Sequence, residues 1–230
     1  MSTLQPEKVH YAGYLYRLTS GRSFVETINS SSSPVLVNEF DTGYWKYFWY
    51  KSHKNLLSEA HSPVAQTADG TYDYPFLLRE SEDRFILLSL DESLVTGLTK
   101  ELRIPRVLQK PKIDIEQLVR DLVTPPQRGD NEDTGREYLM ARVWASVDGY
   151  GRALRSMSFS GDDLAEAQLF SSTLKSVSPF RVILRGIKTN QEIVNIGSNG
   201  ELSILYRGSR HLDELDKLLK FLTRGGYITW

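Results

Sequence analysis

The chain contains no cysteine. That excludes disulfides, thiolate zinc sites, iron–sulfur clusters and a cysteine nucleophile. It also has almost no net charge, −1 at pH 7. No global field therefore steers it toward nucleic acid or an acidic membrane, and any polyanion site must be a local patch. No apolar run approaches the ~20 residues that span a bilayer, so no membrane partner is expected. Residues 1–8 (MSTLQPEK) have no basic segment followed by an apolar stretch, the pattern of a secretory signal. The expectation is a soluble cytoplasmic protein. Motifs are equally sparse: there is no Walker A loop, no G-x-G-x-x-G, no H-E-x-x-H and no G-x-S-x-G. His10, His53, His61 and His211 are scattered without metal-ligand spacing, and neither cofactor nor metal is expected. No motif identifies a reaction.

What is present is enough to build a core. The chain has 230 residues, 40% of them hydrophobic and 25% charged, which suits one large domain or two small ones. Its densest feature is the run at 44–50, Tyr-Trp-Lys-Tyr-Phe-Trp-Tyr, with aromatics at six of seven positions. Strand alternation would put Tyr44, Lys46, Phe48 and Tyr50 on one face and Trp45, Tyr47 and Trp49 on the other. Such a strand is either central, with both faces covered, or partly exposed. In the second case its rings can stack on bases while Lys46, Lys51 and Lys54 track phosphates.

The remaining first half reads as strands at 9–18, 34–40, 71–78 and 84–90, with Asp69-Gly70 as a hairpin turn. Residues 102–112 are basic and broken by two prolines. Residues 114–123 predict a helix, with Ile115, Leu118, Val119 and Leu122 on one face. Asp114 stands as its N-cap, with Gln117 in the capping-box position. Residues 127–136 hold no large apolar side chain and read as an exposed linker. The second half predicts strands at 137–147 and 152–159, then a helix begun by Asp163 and Glu166. Strands at 180–187, 192–196 and 201–206 follow, the last two joined at Asn199-Gly200. A leucine-faced helix at 210–223 is closed by Gly225-Gly226. The fold class is thus α+β: a strand-rich antiparallel first half (1–124), a linker (125–136) and a ββαβββα two-layer second half (137–230).

Alternation also predicts a binding surface. With Leu139, Val143 and Val147 facing the helices, Met140, Arg142 and Trp144 take the other face. Phe180, Val182 and Leu184 would then be core, with Arg181, Ile183 and Arg185 opposite. Arg155, Met157 and Phe159 would join that second face. Arginine with tryptophan and methionine is the composition of an interface, and arginine beside an aromatic also suits a nucleic acid. The function expected is a non-enzymatic binding or adaptor protein within a protein or nucleoprotein assembly. It would act through Arg142, Trp144, Arg155, Arg181 and Arg185, extended by Trp45, Lys46, Trp49, Lys51 and Lys54. A protein partner or a second copy is favoured over nucleic acid. The alternative is a nucleic-acid-processing hydrolase or nuclease using scattered carboxylates such as Asp41, Asp73 and Glu80.

Overall fold

A computed structural model of the chain describes residues 8–19, 36–39, 45–56, 67–81, 84–89, 92–101, 108–123, 137–147, 155–187, 193–207 and 211–230. Among them the fold is α+β, with mostly antiparallel strands. They divide into two units. One spans residues 12–111, and the other is built from 112–229 and the start of the chain. The division thus falls at Pro111–Lys112, whereas the linker expected at 125–136 lies outside the described residues. The helix at 115–123 belongs with the later sequence, because its apolar stripe packs on strands of that unit. Polarity along the sequence does not say which sheet an amphipathic helix will cover.

In the 12–111 unit, β1 (Lys8–Leu18, of which residues 12–18 belong to this unit), β2 (Leu36–Glu39), β3 (Trp45–Ser52), β4 (Tyr72–Ser81) and β5 (Arg84–Ser89) lie in the order β2-β3-β4-β5-β1. The aromatic run is β3, paired on both sides, with Trp49 opposite Leu36 and Pro75. A two-residue strand β6 (Leu108–Gln109) pairs with the end of β1. Helix α1 (Glu92–Glu101) buries Leu94, Val95 and Leu98. The sequence reading has no helix here, since Thr96, Gly97 and Thr99 dilute the helical signal. Gly97 allows a close approach: a Cβ on it would sit 3.1 Å from Leu56 Cβ and Cδ2, so Leu56 would have to shift by a few tenths of an ångström. Leu56 is itself fixed by the buried Tyr74, whose hydroxyl accepts its N–H at 2.7 Å. At the Asp69-Gly70 turn, Gly70 N–H donates to Thr67 C=O and Gly70 takes a φ of 78°.

The other unit contains β7 (Lys112–Ile113), α2 (Ile115–Val123), β8 (Tyr138–Val147), β9 (Ser156–Ser160), α3 (Gln168–Thr173), β10 (Val177–Gly186), β11 (Ile193–Gly197), β12 (Glu201–Arg207), α4 (His211–Arg224) and β13 (Ile228–Thr229). The sheet runs β12-β11-β10-β8-β9, and β13 pairs with β7 apart from it. Its buried face is Met140, Val143 and Ala145 of β8, Val182 and Leu184 of β10, Val194 and Ile196 of β11, and Leu202 and Ile204 of β12. Leu118 and Val119 of α2 and Leu215, Leu218, Leu219 and Leu222 of α4 are buried with them. The helix expected from Asp163 is split. Asp163 caps a 3-10 turn, Leu164–Glu166, before α3, and accepts Ala165 N–H at 3.1 Å. Ala167, extended at ψ 108°, separates the two.

The carboxy-terminus ties the helices together. Asp114 caps α2 by accepting Gln117 N–H at 2.9 Å. Its own N–H goes to Tyr227 C=O at 2.8 Å, so the Gln117 side chain turns instead to Asp121. Helix α4 ends in a Schellman motif: Tyr227 N–H reaches Leu222 C=O, Gly226 N–H reaches Thr223 C=O, and Gly226 has φ 69°. Gly225 lies against the Tyr227 ring, where any Cβ would overlap it. The Tyr227 hydroxyl donates to Asp121 Oδ2 at 3.0 Å. Burial, then that bond and the Asp121 charge, push this phenol up to about 12.

Two outcomes follow for this unit. Leu215→Ala and Leu219→Ala remove fully packed side chains and should each cost roughly 2–5 kcal/mol in urea denaturation. Tyr227→Phe should cost about 1 kcal/mol near neutral pH. Above pH 10.0 the unfolded chain releases the phenol proton, which the folded chain keeps until about 12. This contribution is therefore whole below that window and lost as pH rises through it. The stability gap between wild type and Tyr227→Phe should narrow across the same range. A gap that does not change with pH would show that the phenol is not held as described.

Candidate functional site

The face of the β12-β11-β10-β8-β9 sheet opposite its buried side is the best-formed candidate. Direct cross-strand neighbours share a face. One row is Leu139, Arg185, Ile193 and Leu205. The next is Ser160, Arg142, Ile183, Asn195 and Ser203. A third is Ser158, Trp144, Arg181 and Gly197. Arg142 is exposed, and Trp144, Arg181, Ile183 and Arg185 are half-exposed.

The guanidiniums are organised by their neighbours. Arg142 Cζ lies 5.5 Å from the Trp144 ring centroid, a cation–π contact along the strand. Arg181 reaches across β11 to an ion pair with Glu201 at the start of β12. The residue it crosses is Gly197. A Cβ there would sit 2.8 Å from Asn199 Oδ1 and 3.5 Å from the Glu201 Oε2 that Arg181 holds. Asn199 Oδ1 in turn accepts Glu201 N–H at 3.2 Å, so the Asn199-Gly200 turn sets the carboxylate's position. Arg185 has no ion pair among the described residues. Asn195 Oδ1 is buried beside Ile183 and Ser203 with no hydrogen-bond partner among the described residues.

The sequence placed Arg142, Trp144, Arg181, Ile183 and Arg185 together, and they share this face. Several companions do not. Met140 is 1% exposed, on the helix side, while Leu139 takes the outer face opposite Arg185. The ladder slips between Ile183 and Leu184, leaving Ala141 as an extra residue on β8 and reversing the alternation before it. A second slip, between Pro179 and Arg181, leaves Phe180 without a partner on β8 and 38% exposed instead of in the core. Met157 and Phe159 sit opposite Ala145 and Val143, on the helix side, and Phe159 meets Phe170 edge-on at 5.0 Å. Arg155 precedes β9, and alternation sets it with Met157 and Phe159, off the outer face. Sequence reasoning left out Ile193, Asn195, Gly197, Glu201, Ser203 and Leu205. Register counted from the Asn199-Gly200 turn would have brought Glu201, Ser203 and Leu205 onto the face.

In the 12–111 unit, Lys51 is 3.8 Å from Asp69 and 4.0 Å from Asp73, so a lysine expected on a phosphate track stands between two carboxylates. The Thr67 and Thr71 hydroxyls, then Lys51, pull Asp69 down to about 2. Lys54 is exposed. The side chains of Trp45, Lys46 and Trp49 lie outside the described residues, as do Asp41 and the Glu80 side chain. Of the run, Tyr50 is described and buried. Among the described residues no three His, Asp or Glu side chains are grouped to hold a metal, and no helix is long and apolar enough to cross a membrane.

No protein-family model, curated protein or solved structure matches the chain. Glu201→Gln should cost no more than about 1 kcal/mol, as a partly exposed ion pair. Gly197→Ala should cost more in the same urea titration, because it disturbs the turn as well as the ion pair. Equal effects would mean that the glycine is not what lets Arg181 cross.

Proposed function

We propose that the chain is a non-enzymatic binding or adaptor module that joins a larger assembly through the arginine-bearing face of strands β12-β11-β10-β8-β9. The observation that carries this reading is the make-up of that face. Three arginines, Arg142, Arg181 and Arg185, lie among Trp144, Leu139, Ile183, Ile193 and Leu205, with the carboxylate of Glu201 joined to them by its ion pair with Arg181. Fold stability does not call for such a face, since partly exposed ion pairs contribute only ~0–1 kcal/mol. Tryptophan and arginine are the residues that anchor protein interfaces. Apolar side chains between the arginines favour a protein partner over a nucleic acid, whose phosphates would ask for a denser basic track. A cytoplasmic setting is part of the proposal and rests on the cysteine-free composition.

The test is capture of partners from the native cell by wild type and by Arg142→Glu with Arg185→Glu, each repeated after nuclease treatment. The double variant should melt like wild type and lose its partner, and Trp144→Ala should weaken capture most among single substitutions. Loss of capture on nuclease treatment would point to nucleic acid. Affinity should then fall by about 0.9 log units per log unit of salt for each duplex phosphate neutralised. Capture unchanged in all variants would remove this face from the function.

A further inference from the structure

Strand β9 closes the sheet order on its side. Val147 N–H donates to Arg155 C=O at 3.2 Å, and Gly161 N–H to Ala141 C=O at 3.0 Å. In an antiparallel ladder such positions recur at every second residue. Arg155, Met157, Phe159 and Gly161 therefore turn their backbone toward β8. Ser156, Ser158 and Ser160 turn theirs outward, and these N–H and C=O groups have no partner among the described residues. The strand, Ser-Met-Ser-Phe-Ser, carries no charge, proline or bulge, the devices that guard an edge against pairing.

We propose that an extended, acidic segment of a partner protein adds to β9 as a further strand. This docking mode presumes the binding reading given above and specifies its partner. Main-chain bonds to the three outward serines would supply the pairing. Side-chain selection follows from what flanks the edge. On the outer face β9 offers only exposed serine side chains. An added strand would lie two spacings, about 10 Å, from β8. The small serines leave that gap open, so Arg142 can extend over Ser160 to a carboxylate on the newcomer. On the other side its alternate residues would meet the half-buried Met157 and Phe159. The fitting segment therefore places an acidic residue beside Ser160, within reach of Arg142, and apolar residues on its opposite face. A second copy fits less well, since its β9 would bring serine, not a carboxylate, to Arg142.

The probe is a displayed library of random nonapeptides panned against the full chain. Enriched peptides should share an Asp or Glu at one fixed position flanked by apolar residues of the opposite face, and a synthetic one should slow amide exchange at Ser156, Ser158 and Ser160. Ser158→Pro removes an outward N–H that β8 does not use, and should weaken binding at least roughly tenfold with the melt unchanged. Arg142→Glu should reverse the preference toward basic peptides. No enrichment, patternless enrichment, or protection elsewhere on the sheet would overturn the proposal. So would dimerisation of the free chain that Ser158→Pro abolishes. If Arg142→Glu with Arg185→Glu abolishes partner capture while Ser158→Pro does not, the face binds but the edge does not. If neither matters, both readings fail.

Discussion

The ladder between β8 and β10 slips twice, and the placement of side chains on the sheet depends on those slips. Side chains alternate with period two, so one extra residue exchanges the two faces for everything on one side of it. At Ala141 the extra residue lets Tyr138 and Met140 face the helices on one side of it and Val143, Ala145 and Val147 on the other. Without it, either Met140 or Val143 would have to leave the core. At Phe180 the slip lets both Pro179 and Val182 be buried while Phe180 itself stands out. The core is kept continuous, and the arginines take the face that remains.

This explains what could be read in advance. Helix α2 was legible to its cap, because Asp114 and its apolar stripe are local signals that tertiary context did not override. The end of α4 was legible for the same reason: Gly225-Gly226 has a backbone requirement of its own. Arg142, Trp144, Arg181 and Ile183 share a face because they lie in the stretch between the two slips. Arg185 joins them because the extra residue at the slip between Ile183 and Leu184 is on β8, which leaves the alternation of β10 unbroken. Met140 and Phe180 came out wrong because they lie at or beyond them. A bulge is decided by the partner strand, and neither strand announces it alone. Helix α1 was missed for a related reason. Gly97 lowers its propensity, yet serves a contact with Leu56 that only the folded unit contains.

On the outer face, small residues do as much as large ones. Gly197 clears the way for Arg181 to reach Glu201, and the serines of β9 leave open ground beside Arg142. An arginine carries many rotamers, and holding it on a ring or a carboxylate before a partner arrives lowers the ordering cost of binding. Arg142 and Arg181 are held in this way, and Arg185 has no such tether among the described residues. If the face binds as proposed, the tethered pair should define where a partner sits, with Arg185 adjusting to it.

The unguarded edge fits the same logic. Three outward residues are too few to drive open-ended pairing between copies, so a short bare strand is tolerable in isolation. Its exposure becomes useful only next to a surface that selects what pairs with it. Backbone groups accept any extended chain; Arg142 on one side and Met157 with Phe159 on the other would restrict the choice to one with a carboxylate on the first face and apolar residues on the second. Affinity would then come from the edge and discrimination from the face, and a basic segment would be rejected by the arginines even though its backbone fits.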